Sequence, residues 1–74
     1  MKKVIAESKD FGDFLRNERQ AQFMSQLTLA KEAGTTQATV CRLESGRQSM
    51  HLETMVKLVN ELGYRLVIEE EDKE

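Results

Sequence analysis

The chain has 74 residues, 32% of them charged and 39% hydrophobic, with no proline and one cysteine. That length allows one domain, which buries only roughly 60% of the surface its unfolded chain exposes. With a single thiol it has no internal disulfide, so oligomerisation is the expected support, and no apolar run approaches the ~20 residues that span a bilayer.

The formal net charge is −2. Residues 69–74 hold five acids and one base, and without them ten Lys/Arg stand against eight Asp/Glu, a net of +2. The acid is gathered at one end, and a run of like charge reads as a solvated tail, placed here at 70–74. A lone cysteine with no secretory leader in the chain fits a reducing cytoplasm, and no membrane partner is expected.

The elements read in order as follows. Residues 1–9 form an arm, disordered or a small edge strand, with apolar Val4 and Ile5. Asp10 is the expected N-cap of a first helix over 11–21, marked by the spacing of Phe11, Phe14, Leu15 and Glu18. Gly12 weakens that helix by about 1 kcal/mol relative to Ala. Ser25 caps a second helix, with Met24 and Leu29 spaced as a hydrophobic staple. Gly34 stands after Ala33, where the backbone must turn left-handed. Thr36 caps a third helix from Gln37 to Glu44 with Val40 and Leu43 facing inward, ended by Ser45-Gly46 and followed by the loop Arg47-Gln48-Ser49-Met50. A fourth helix over 52–62 carries the stripe Leu52, Met55, Val56, Val59 and Leu62, and Gly63 ends it. The period then changes to two. Tyr64, Leu66 and Ile68 share one face of a single strand over 64–69. A lone strand needs a mate, so these three residues are the expected dimerisation contacts, pairing with a second copy or its arm across a two-fold axis.

Residues 25–46 carry the functional signal: two short helices, one tight turn, and polar side chains at the start of the second helix. That is the layout of a DNA-reading helix-turn-helix. Gln37, Ala38 and Thr39 occupy the first turn that enters a major groove, and Arg42 can share their exposed face. Gln pairs with adenine, Ala or the Thr methyl packs on the thymine methyl, and Arg bonds guanine or a phosphate. At the start of the second helix, the Gln26 backbone N–H and side-chain amide suit a phosphate oxygen. Lys31 is either an outer phosphate contact or a solvated lysine. Cys41 reads as a small space-filler. His51, the only histidine, has no companions for a metal site. No Gly-rich phosphate loop and no Ser/His/Asp set is present, so neither an enzyme nor a cofactor is expected.

Ser25-Gln26, Leu29-Ala30, Gly34, Thr36-Gln37, Thr39-Val40, the run from Arg42 to Arg47, and Leu52-Glu53-Thr54 together resemble the lambda-repressor-like (Cro/repressor, XRE-type) helix-turn-helix family. The resemblance spans roughly residues 10–63. It implies a mostly α, compact four-helix DNA-binding domain at 10–63 and a homodimer repressing from a palindromic double-stranded operator. It implies DNA contacts at Gln26, Thr36, Gln37, Ala38, Thr39, Arg42, Arg47 and Gln48, and a partly buried ion pair of Arg19 with Glu44 outside the base-reading set. A C-terminal β-strand in place of a fifth helix is similar to the persistence-type (HipB-like) antitoxins. That likeness implies the alternative of an antitoxin that represses its own operon and binds a co-encoded toxin. The acidic balance raises a third reading, an interaction module without DNA binding; a polar surface of Gln37, Thr39, Arg42 and Arg47 argues against it.

Overall fold

The described residues form four helices: α1 (Ser8–Ala21), α2 (Gln26–Ala33), α3 (Gln37–Glu44) and α4 (Leu52–Glu61). The computed structural model describes residues 1–47 and 51–72. Two of the helices start where a hydroxyl replaces a missing backbone acceptor. Ser25 Oγ accepts the Thr28 N–H at 3.0 Å and Thr36 Oγ1 accepts the Thr39 N–H at 3.1 Å. The first helix begins three residues earlier than expected. Asp10 is not its N-cap but sits one turn in, where its carboxylate accepts the N–H groups of Ala6 at 2.9 Å and Glu7 at 3.2 Å. A carboxylate at that depth serves the orphan donors of the first turn as well as a cap does, and it is favoured by the helix dipole.

All four helices close in the same way. The N–H groups of Met24, Thr35, Arg47 and Tyr64 reach back to the carbonyls of Arg19, Ala30, Arg42 and Val59. That closure needs a left-handed residue just past the helix. Three of the ends have glycine there, and the end of α1 has Phe23 at φ 56°. Its Cβ costs roughly 1–2 kcal/mol in that conformation, and its ring is 98% exposed, so packing does not offset the strain.

The core is built from Phe11, Phe14 and Leu15 of α1, Leu29, Ala30 and Ala33 of α2, Val40 and Leu43 of α3, and Leu58, Val59 and Leu62 at the end of α4. The third helix packs against α1 and α2, and α2 also packs against α4. Gly12 is buried at the crossing of α1 with the C-terminal end of α3. A Cβ there would lie 2.9 Å from the Glu44 carbonyl oxygen and would collide with the Leu43 carbonyl oxygen. The glycine expected to weaken the helix is therefore what lets two backbones meet.

Two expectations for the C-terminal third are corrected. The inward face of α4 is centred on Leu58 and Val59, while Leu52 is 68% exposed and Met55 and Val56 are only half-buried. The helix is tilted so that its last turn, not its first, meets the core. Residues 64–72 form no strand, and no strand exists among the described residues. A ladder needs a second backbone in register, and the chain alone provides none. Tyr64 is instead drawn onto α1, its ring edge-on to Phe14 at 5.0 Å. Its phenol is hydrogen-bonded to Glu18, which holds its pKa above the usual tyrosine value. Leu66 is 37% and Ile68 100% exposed. Of the expected arm, Ser8 and Lys9 belong to α1 and residues 1–7 have no regular structure; Lys2 Nζ meets the Glu69 carboxylate at 2.9 and 3.1 Å. No helix among the described residues is long and apolar enough to cross a membrane.

Gly12→Ala must push α1 off the end of α3. It is expected to lower stability by at least about 1–3 kcal/mol, the usual range for overpacking, despite raising helix propensity. A thermal melt of the variant checks this, and a raised midpoint would show that the crossing has room to spare.

Candidate nucleic-acid interface

The burial pattern of α3 divides it into two faces. Val40, Leu43 and Glu44 are buried, while Gln37, Ala38, Cys41 and Arg42 are exposed. The exposed positions are spaced i, i+1, i+4 and i+5 and so form one outward stripe. Thr36 and Thr39 flank its start. The Thr39 hydroxyl is 2.9 Å from Thr36 Oγ1, and Thr39 is half-buried, so both threonine oxygens are committed to the helix cap.

Cys41 is exposed in the middle of this stripe, which corrects its reading as a space-filler. The signal was available: a residue four beyond Gln37 and adjacent to inward Val40 lies on the outward face of any α-helix. Arg42 is exposed, and its carbonyl accepts from Ser45 Oγ at 2.9 Å and from the Arg47 N–H at 3.2 Å. Those two bonds and left-handed Gly46 lead the chain out to Arg47, which is also exposed. Lys31, in the last turn of α2, is exposed as well. Gln48 and Ser49 lie outside the described residues.

Behind the stripe, one set of polar bonds joins three helices. Arg19 Nε donates to Glu44 Oε2 at 2.6 Å and its Nη2 to Glu44 Oε1 at 3.0 Å. Its Nη1 donates to the Met24 carbonyl at 2.8 Å, at the entry to α2. Gln26 Nε2 donates to the same Glu44 Oε1 at 3.0 Å. Arg19 is 9% and Glu44 4% exposed, yet among the described residues no buried side-chain nitrogen or oxygen is left without a partner. The hydrogen bonds that Arg19 donates to Glu44 raise its pKa above the usual guanidinium value. Arg16 adds a bond to the Glu44 carbonyl at 3.4 Å while pairing with Asp13 at 2.9 Å.

The residues expected at a dimer contact are split. Tyr64 packs on the core, while Leu66 and Ile68 are exposed on the segment that follows. Val67, at 69% exposure, and Val4 of the arm, at 79%, add to the apolar surface that the two termini leave uncovered. His51 is exposed at the start of α4.

An outward polar stripe on the second of two short helices, with a left-handed glycine between them, is a helix-turn-helix arrangement. The helix-turn-helix family model matches residues 15–68. The chain belongs to the helix-turn-helix family. Among solved structures it is similar to the restriction-modification controller protein C.AhdI from Aeromonas hydrophila, at 34% identity and a TM-score of 0.74 over 78% of this chain and 84% of that one. No curated protein matches the chain. Membership of this XRE-type family makes the chain a DNA-binding transcriptional regulator. The likeness to the persistence-type antitoxins is not shown, because the strand on which it rested is missing among the described residues.

Removing the carboxylate by Glu44→Ala strands the Arg19 charge in the interior. The expected loss is about 3–5 kcal/mol, a large part of the stability of so small a domain. A urea titration followed by far-UV circular dichroism measures it; an unchanged midpoint would mean the pair is solvated and structurally idle.

Proposed function

We propose that the protein acts as a homodimeric repressor that reads a palindromic operator with α3 in the major groove. The supporting observation is the outward stripe of α3, where polar Gln37 and Arg42 are exposed on a helix whose other face is buried. Gln37 and Ala38 face base edges at the start of the helix, Arg42 serves guanine or a phosphate one turn on, and Thr39 contributes its methyl group. Gln26, Thr36, Arg47 and Gln48 hold the sugar-phosphate backbone and set the register. Cys41 lies within the same footprint. Binding falls steeply with salt as counterions are released.

Two copies place two recognition helices about 34–36 Å apart, one helical turn of DNA. The exposed side chains of Leu66, Val67 and Ile68 supply an apolar surface for the second copy to cover. The likeness to a restriction-modification controller protein favours one setting in particular, control of the expression of a restriction-modification system. The antitoxin alternative and its toxin partner rested on the C-terminal strand and are not carried further.

Selection of bound duplexes from a random pool tests the reading. A short palindrome is expected to be enriched, with Arg42→Ala relaxing one position per half-site by about 1–3 kcal/mol of discrimination. Enrichment of nothing at low salt would return the chain to the class of interaction modules. The dimer is checked by sedimentation equilibrium. The wild type is expected at twice its chain mass and Leu66→Asp/Ile68→Asp at the monomer mass; a double variant that remains dimeric would place the interface elsewhere.

A further inference from the structure

We propose that Glu44 is a positioning residue for DNA: its carboxylate orients the Gln26 amide, so that the start of α2 presents a fixed donor to a phosphate. The inference rests on the reading of Gln26 as a backbone contact and adds to it what makes that contact specific in geometry. Three observations carry it.

The first is chemical. An ionised carboxylate accepts hydrogen bonds and donates none. Gln26 lies 3.0 Å from Glu44 Oε1 through Nε2, so its amide must turn the NH2 end toward Glu44 and cannot flip. One Nε2 hydrogen is used in that bond, and the second is held in the amide plane as a donor of set direction. A glutamine on an open helix surface would sample many rotamers and lose that freedom on binding. Here the loss is incurred on folding, before DNA arrives.

The second is that the orienting group cannot itself move. Both Glu44 oxygens are bonded by Arg19, at 2.6 and 3.0 Å, and Glu44 is 4% exposed. Arg19 also holds the Met24 carbonyl just before α2. The amide of Gln26 is thus referenced to a rigid buried pair and not to another surface side chain.

The third is where Glu44 sits. It is the last residue of α3, the helix that carries Gln37 and Arg42. The carboxylate that orients the phosphate donor on α2 is part of the helix that reads the bases. A phosphate contact and a base contact must fit one rigid duplex together, and this bond fixes their mutual placement.

A double-mutant cycle on DNA affinity tests the proposal, read as the dissociation constant for a short labelled duplex of mixed sequence at low salt, since a phosphate contact is independent of sequence. Gln26→Ala is expected to weaken binding about tenfold, the size of one hydrogen bond to a charged group. In a Glu44→Gln background the same Gln26→Ala change is expected to weaken it by less than about twofold, because the amide is no longer aimed. An undiminished tenfold effect in that background would overturn the positioning role while leaving Gln26 as a contact. No effect of Gln26→Ala in either background would overturn the phosphate reading itself. Should Glu44→Gln fail to fold, the wild-type protein decides by NMR. One Gln26 side-chain amide proton is expected to be shifted and protected from exchange in the free protein, and the other to shift on adding the duplex. Two amide protons that both behave as in solvent would overturn the proposal.

Discussion

The ion pair of Arg19 with Glu44 is the constraint on which the rest of the structure depends. Among the described residues it is the one place where charge is buried: Arg19 is 9% and Glu44 4% exposed, beside a core of hydrocarbon side chains. Taking two ions out of water is expensive, and their attraction compensates only when the geometry is good and the remaining donors are satisfied. Both conditions hold. The guanidinium makes two bonds to the carboxylate, its third nitrogen reaches the Met24 carbonyl, and Gln26 takes up further capacity on the carboxylate. Because the partners come from α1, the entry of α2 and the end of α3, their demand for geometry becomes a demand on how the helices are placed.

The backbone is shaped to meet that demand. The Arg19 side chain reaches Glu44 from a helix that crosses the end of α3 at contact distance, and Gly12 is the residue that permits the crossing. On the other side, Ser25 and Thr36 start α2 and α3 with side-chain caps, and left-handed Gly34 turns the chain between them. Each of these is a local device of modest strength. Together they set α3 with Gln37, Ala38, Cys41 and Arg42 on its exposed side. The left-handed Phe23 is the exception, a bulky residue where the other helix ends hold glycine, and nothing in the fold explains it.

Much of this was legible in the chain itself, and the reasons can be named. Caps at Ser25 and Thr36, the turn at Gly34 and the inward Val40 and Leu43 are local or periodic signals, readable within one or two turns of helix. What was not legible needed a second element. Gly12 looks like a defect until α3 is laid across it. Leu52 and Leu58 are equally apolar, and only the tilt of α4 decides that Leu58 is buried and Leu52 is 68% exposed. The alternation of Tyr64, Leu66 and Ile68 reads as a strand because period two is its signature, but a strand also needs a mate. The core claimed Tyr64 through Phe14 and Glu18.

The sequence by itself determined four helices, the caps of α2 and α3, the glycine stops after α2, α3 and α4, and the family, because each depends on residues close together along the chain. Tertiary structure alone decided which side chains share a face or a bond. It tied Gln26 to the Arg19–Glu44 pair and left Leu66 and Ile68 exposed. The physical reason is the same in each case: burial and hydrogen-bond partnership belong to pairs of elements, and no window of sequence contains both members of a pair such as Gln26 and Glu44.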